Sequence, residues 1–482
     1  MNSLASALTA NSPRLSPPPT PLASILIHGS VLLLWLLLFA ASFKLGGVLA
    51  WGVGIAYIVY DTVLLLFVGW QSRRLLRPAV APAAATESSV TLGVIVAAHN
   101  EAAALPLTLG ILLAQAQALD CIVIADDGSS DGTAELLGSR YGLAAPALGQ
   151  ISEPGTQYPT LRWLRLPHGG KARALNAAAL HLHTEVVLTV DADTLLEAGA
   201  IAAFRRAFSA EPELVAATGV LSPVCGGAPG ARVLQWFQTY EYIRNFLSRH
   251  AWMQLDSLLL ISGAFAGFRR EALLAVGGFD PQCMVEDYEL IHRLRRHAQA
   301  QGRSWRFRVL GSAQARTDAP ATIPAFLRQR QRWFGGFLQT QYWYRSMVGN
   351  RQYGWLGTLM LPVKAVDTLQ PLYGLTAFFL LLVYALGGRS GVFAPVATLI
   401  GIKIAIDLAY HLASVQWYRR WVDDRHRASF FGALLAAVAE PFTFQLLRHA
   451  GAAWGWWAFL AGSSHWGRQS RQGVLAAAEV DS

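Results

Sequence analysis

Nineteen consecutive residues from Ile25 to Phe43 carry no formal charge, with His28 as their one imidazole. A run of that length spans a hydrocarbon core as a helix and exceeds what a buried core helix usually needs. A second run, Gly46 to Trp70, follows after a short turn and is broken only by Asp61. Residues 22–70 therefore read as a two-helix transmembrane hairpin. Arg73, Arg74 and Arg77 follow at once, which places that end of the hairpin in the cytoplasm. Apolar runs return at roughly 355–388, 392–414 and 428–447, so 351–447 reads as a second membrane region. The loop 415–427 carries Arg419, Arg420, Arg425 and Arg427 and is expected in the cytoplasm. Glu440 and Pro441 interrupt the last run. If that run spans, the tail 448–482 with Arg448, Arg468 and Arg471 lies outside; if it is re-entrant or interfacial, the tail stays in the cytosol.

Composition agrees with membrane residence: 53% of residues are hydrophobic and 14% charged, against roughly 25% charged in soluble domains. The net charge of +9 is spread too thinly to suggest nucleic-acid binding. Pro13, Pro17, Pro18, Pro19 and Pro21 make residues 1–21 read as a disordered tail. A cleaved signal peptide ending near Ala40, Ala41 and Ser42 is disfavoured, because the apolar run is long and only Arg14 precedes it. Cys121, Cys225 and Cys283 are too scattered for a disulfide framework or a CxxC metal site and are expected as reduced thiols. Residues 71–89, rich in Ala, Pro, Thr and Ser from Pro78 on, read as a linker.

Between about Val90 and Thr317 no uncharged run approaches spanning length. Strand-like segments at 90–98, 121–125, 161–166, 185–190, 214–220 and 258–266 alternate with helical patterns. That alternation implies a mostly parallel sheet flanked by helices, with ligands bound at the carboxyl ends of its strands. Acids gather there. Asn100 and Glu101 follow the first strand, Asp126 and Asp127 end the second, and Asp191 and Asp193 follow Val190. Each alone also fits a turn or a helix cap; three acidic strand ends in one sheet favour a site. Asp191 and Asp193 flank Ala192, so in extended backbone their side chains share a face and can reach one hard cation. Oxygen ligands point to Mg2+ or Mn2+ and away from zinc. Gly169, Gly170 and Lys171 open a helix, a disposition suited to phosphate. Lys171 is the only lysine between residues 45 and 363, in a chain that otherwise uses arginine as a GC-rich bacterial genome would.

The strings His99-Asn100-Glu101, Asp126-Asp127-Gly128-Ser129, Gly170-Lys171 with Ala174-Leu175-Asn176, Asp191-Ala192-Asp193, Glu286-Asp287 and Gln329-Arg330-Gln331-Arg332-Trp333 occur in that order over about residues 90–335. So ordered, they resemble family 2 glycosyltransferases, particularly the membrane-integrated processive type that includes hyaluronan, chitin, cellulose and poly-N-acetylglucosamine synthases. Val285 stands where many members have Thr and Ala97 where Pro is frequent; neither change removes a functional group. The resemblance implies an α/β GT-A (Rossmann-like) cytosolic catalytic domain, residues 90–317, inserted between transmembrane α-helices. Residues 318–350 would form amphipathic interface helices. The donor would be a UDP-sugar and the displacement inverting. Asp126 or Asp127 would accept a hydrogen bond from uracil, with Asn100 and Glu101 lining the nucleotide and Lys171 beside its phosphates. Asp193, with Asp191 contributing to nucleotide or metal, would hold the cation. Asp287 would be the general base with Glu286 beside it; Gln329 would help bind the nucleotide-sugar, Arg332 would pair with its pyrophosphate and Trp333 would stack beneath the acceptor sugar. The bland alternative for Glu286 and Asp287 is complementing a helix dipole, and for Ile323 to Tyr344 an anchor at the lipid interface.

Nine of the 16 tryptophans follow residue 330, most of them suited to interfacial belts. Lys403, Asp407 and His411 recur every four residues and share a helix face; Asp61 and the pair Lys364 and Asp367 are likewise ionisable groups in apolar runs. They either glue helices together or line a route for a growing polysaccharide. The resulting reading is a multi-pass protein of the cytoplasmic (inner) membrane whose cytosolic domain polymerises a UDP-sugar and threads the product outward. Transfer of one sugar to a glycolipid acceptor is the second reading, and an inactive scaffold or receptor component the third. No soluble domain such as a cyclic-dinucleotide receptor is expected after the membrane helices, and the sequence names no export partner.

Overall fold

Eight strands form one mixed sheet in the computed structural model of the protein, which describes residues 2–76, 89–422 and 428–462. They are β1 (Leu92–Ala98), β2 (Cys121–Asp127), β3 (Leu161–Leu166), β4 (Val186–Asp191), β5 (Thr194–Leu196), β6 (Leu214–Val224), β7 (Phe265–Arg269) and β8 (Arg306–Asp318). Their order across the sheet is β3-β2-β1-β4-β7-β6-β8-β5. The first four run parallel, and nearly every residue of β1, β2 and β4 is buried, as expected for strands covered on both faces. Ala98 of β1 pairs with Asp126, and Ala97 with Asp191. Parallel pairing thus brings the acids that end β2 and β4 to the same edge, one on each side of β1.

Three features depart from the sequence reading. β7 runs antiparallel to both β4 and β6, and β5 antiparallel to β8, so the sheet is mixed. Of the segment 258–266 only Phe265 onward joins a ladder, while Leu258, Leu259 and Ile261 are buried outside any strand. Residues 2–11, expected in a disordered tail, form the helix Asn2–Asn11. Prolines dominate only the segment after it. The helix is held by contacts far off in sequence, among them a bidentate pair from Arg14 to the buried Asp280 (2.9 and 3.0 Å).

Among the described residues, four helices are long and apolar enough to cross a membrane: Leu22–Ala41, Gly47–Leu76, Leu356–Leu386 and Ser390–Val422. A further pair, Phe430–Phe442 and Phe444–Leu460, bends by 50° where Pro441 lacks an N–H. The last helix therefore runs to Leu460, where the sequence reading began a tail at Arg448. That arginine is no chain end: it pairs with Glu241 (3.1 Å) and Glu440 (3.4 Å). Gly451 and Gly455 let the helix approach Ile323–Trp343 so closely that a Cβ on either would overlap Arg330 or Phe334. The three cysteines are free thiols. Residues 78–88 of the expected linker, Arg77, Arg425, Arg427, Trp466, Arg468 and Arg471 lie outside the described residues.

Candidate active site

The loop after β1 is shaped by Asn100, which adopts a left-handed conformation (φ 57°) that few side chains tolerate as well. Its backbone N–H donates to Ser129 Oγ (3.0 Å), and its Oδ1 accepts from the Ser130 N–H (2.8 Å), tying the carboxyl ends of β1 and β2 together. Asp126 accepts from the Ser129 N–H (2.9 Å) and from Trp163 Nε1 (3.3 Å). Asp127 accepts from the N–H groups of Gly169 (2.8 Å) and Gly170 (2.9 Å). Both carboxylates are buried; Asp126 fixes the turn after β2 and Asp127 the loop that presents Lys171, with His168 Nδ1 also 3.0 Å from Asp127 Oδ2. Glu101 is buried on the loop after β1 and donates its N–H to Thr133 Oγ1 (3.3 Å).

Lys171 begins the helix Lys171–His181 and pairs with Asp191. Burial opposes its charge, yet Asp191, Glu286 and Asp287 outweigh that and raise its pKa above the ordinary lysine value. One ammonium therefore feels the acid at the end of β4 and the two acids at the start of Glu286–Ala300. Asp193 lies in the turn between β4 and β5. Burial, then the charges of Asp191 and Asp318, push its carboxyl up to about 8. A carboxyl so disfavoured as an anion, with two more acids beside it, calls for positive charge.

Asp287 is fixed by two backbone donors: the Gly263 N–H to Oδ2 (2.7 Å) and the Tyr288 N–H to Oδ1 (2.8 Å). A Cβ on Gly263 would stand 3.1 Å from both Cβ and Oδ2 of Asp287, so glycine permits this approach. Gly263→Ala is expected to push the carboxylate aside by a few tenths of an ångström and to lower kcat by about tenfold with little change in donor KM; steady-state kinetics decides it. Burial raises the Glu286 carboxyl, which Lys171 and Arg332 pull back and Asp287 lifts further. Arg332 thus reaches the same cluster from Ile323–Trp343. Gln329 is buried on that helix, and Trp333 packs under Arg330 (4.5 Å from guanidinium to ring), itself anchored to Glu241 (2.6 Å).

The structure brings Lys171, Asp191, Asp193, Glu286, Asp287 and Arg332 into one charged cluster, with Asn100, Glu101, Asp126 and Asp127 along its β1–β2 rim. Three contributors escaped the sequence reading. Asp318 ends β8 and donates its N–H to the Asp193 carbonyl (3.4 Å); it obeys the same strand-end rule, but β8 was not recognised. Gly263 lies within the expected strand segment 258–266, two residues before β7 begins at Phe265. Arg249 lies on Pro229–Gln254, and its Nε and Nη1 are buried with no hydrogen-bond partner among the described residues. Burial lowers its pKa to about 10 while Asp287 pulls the other way, so it stays charged and acts on the same carboxylate.

The family model described as "Glycosyl transferase family 2" matches residues 93–277, and that described as "Glycosyl transferase family group 2" matches residues 186–398. The chain is 28% identical over 244 residues to poly-β-1,6-N-acetyl-D-glucosamine synthases of Staphylococcus aureus and of Staphylococcus epidermidis, a match covering 50% of this chain and 53% of each relative. It thus spans about half the length of the curated relatives it matches. A mannosyltransferase of Pyrobaculum calidifontis, solved with GDP-Man and Mn2+, superposes with a TM-score of 0.52 at 21% identity, over 82% of this chain and 99% of that one. That likeness identifies the sheet core as GT-A-like. Two family models that between them run from residue 93 to residue 398, laid on a sheet with these acids at its carboxyl edge, make the chain a member of glycosyltransferase family 2.

Proposed function

We propose that the chain is a membrane-embedded, inverting glycosyltransferase that passes sugar from a UDP-sugar to a growing polysaccharide, processively and coupled to export. The observation that carries this is the single electrostatic neighbourhood of Lys171, Asp191 and Asp287, in which the groups suited to a nucleoside diphosphate and to an acceptor hydroxyl act on one another. The acceptor oxygen attacks the anomeric carbon as the bond to the diphosphate breaks, and Asp287 takes the hydroxyl proton. Lys171 and Arg332 face the leaving diphosphate, Arg332 through a planar fork of donors. Asp126 or Asp127 reads the base, and Trp333 supports the acceptor sugar. Asp191 and Asp193, with Asp318 alongside, are the oxygen donors that would hold Mg2+ or Mn2+; three acids against one lysine fit such a cation. When bound, it supplies Lewis-acid stabilisation of the diphosphate.

Similarity to poly-N-acetylglucosamine synthases makes UDP-N-acetylglucosamine the first donor to test. Purified protein incubated with labelled UDP-sugars, and with GDP-mannose as control, is expected to yield polymer with UDP-N-acetylglucosamine. A single-sugar lipid product would shift the reading to a glycolipid transferase, and no turnover with any donor would overturn it.

The basic end at Arg73 and Arg74 supports a cytoplasmic catalytic domain in a multi-pass membrane protein. Within the membrane region Lys403 pairs with Asp61 of the hairpin (2.7 Å) and with Asp407 of its own helix, and Lys364 pairs with Asp367 (2.5 Å). The Lys403–Asp61 pair clamps two helices together, and all of these charges offer a polar lining. Lys403→Met in sealed vesicles is expected to cut polymer delivered across the membrane by about tenfold or more while synthesis in detergent persists. Equal loss of both would leave only the clamp, and intact delivery would remove Lys403 from any route.

A further inference from the structure

The segment from Gly277 to Val285 leads directly into Glu286 and Asp287, and its conformation sets where that helix begins. Gly277 and Gly278 both take positive φ (91° and 69°). Asn176, on the helix that opens with Lys171, brackets the segment by accepting from the Phe279 N–H (2.7 Å) and donating to the Phe279 carbonyl (2.8 Å). From the other side, Gln339 of Ile323–Trp343 accepts from the Met284 N–H (3.1 Å). The third support comes from more than 260 residues away in sequence. Arg14 donates through Nε and Nη2 to the two carboxylate oxygens of Asp280, whose side chain is wholly buried. Asp280 in turn accepts from the Gln282 N–H (2.9 Å). The preceding helix lies against Gly277, where a Cβ would overlap the backbone of Leu8. Asn11 adds bonds to Arg296 (2.7 Å) and His297 (2.8 Å) on the catalytic helix itself.

These contacts exceed what a surface tether needs. A buried carboxylate with a bidentate guanidinium is costly to break and geometrically exacting. The same segment continues through Thr20, which accepts from Arg345 Nε (2.7 Å), into the apolar helix Leu22–Ala41. A single stretch of chain therefore joins the first hairpin helix, the end of the helix bearing Arg332, and the approach to Asp287.

We infer that residues 2–20 form a strap that sets the position of Asp287, with Arg14 as a positioning residue acting through Asp280. The inference rests on the base assignment above. The hydrogen bonds of the strap named above go to Asp280, Arg296, His297 and Arg345 and to none of Lys171, Asp191 and Asp193, so its loss displaces the base and spares nucleotide binding. A misplacement of about 1 Å at a reacting group costs up to about a hundredfold in rate.

The test compares the full-length parent chain with Arg14→Gln and Arg14→Lys, counting UDP-binding sites by calorimetry and measuring turnover per site. Arg14→Gln is expected to lower kcat per site by about tenfold or more with donor KM within about twofold, and Arg14→Lys to recover most of it. A purely structural role would reduce the number of sites and leave turnover per site unchanged; that result overturns the inference. Should Arg14→Gln lose UDP binding altogether, the Arg14→Gln/Asp280→Asn pair, which leaves no charge buried alone, decides by the same criterion. Hydrogen exchange over residues 277–285 separates this inference from the base assignment. Faster exchange in Arg14→Gln is required by the strap whatever Asp287 does, and unchanged exchange refutes it.

Discussion

Asp287→Asn is expected to bind UDP as the parent chain does and to transfer sugar about a thousandfold more slowly. A positioned general base contributes roughly 10²–10⁴ in rate, or about 3–5 kcal/mol at 1.36 kcal/mol per decade. The amide keeps the size of the side chain but cannot take the proton. It also meets two backbone donors, the N–H groups of Gly263 and Tyr288, with one acceptor oxygen, so one donor faces an NH2. Part of the loss is therefore positional, and Asp287→Ala, which frees both donors, measures that part. Glu286→Gln should cost far less, about tenfold, because Glu286 is buried and burial, with Asp287, opposes its charge even though Lys171 and Arg332 pull the other way. Kinetics of both variants with UDP binding measured in parallel decides the matter. An Asp287→Asn variant within tenfold of the parent beside an inert Glu286→Gln would move the base to Glu286.

What could be read from the sequence was set by how locally each signal is encoded. β1, β2 and β4 are short apolar runs ending in polar residues, so both the strands and their terminal acids stand out, and parallel pairing with β1 brings Asp126 and Asp191 to one edge of the sheet, on either side of β1. β8 hid because it is half polar. Phe307, Val309, Ala313, Ala315 and Thr317 point into the core, while arginines and a glutamine alternate with them. That two-residue period was the signal that would have found β8, and with it Asp318. Arg249 carries no local mark at all; it is one arginine on a long helix, and only the sheet's closure sets it against Asp287. The N-terminal helix was missed because its stability comes from Asp280 and Gly277, which lie far off in sequence. The pairing of Lys403 with Asp61 was visible only as two isolated charges, since which helices touch is a property of the bundle.

The acids at the β4 edge make a second large prediction, in which activity and stability move in opposite directions. Removing divalent cations with a chelator is expected to stop transfer, and adding Mn2+ or Mg2+ to restore it; Asp193→Asn should stay inactive under both conditions, a loss of about a thousandfold. Yet the same substitution should stabilise the metal-free protein. Burial and the charges of Asp191 and Asp318 raise the folded carboxyl from 3.8 to about 8, so the folded state resists an ionisation that the unfolded chain accepts freely. With the folded value raised, the contribution of Asp193 is fully present below about pH 4 and is lost as pH rises toward about 8. Asparagine cannot ionise, so the slope disappears. At pH 8 in chelator, Asp193→Asn should melt about 2–4 °C above the parent. Mn2+ should raise the parent's melting temperature by mass action and leave the variant's unchanged. A variant that melts lower in chelator, or a parent that Mn2+ does not stabilise, would mean that the repulsion among Asp191, Asp193 and Asp318 is relieved within the protein and that no cation is needed to hold them together.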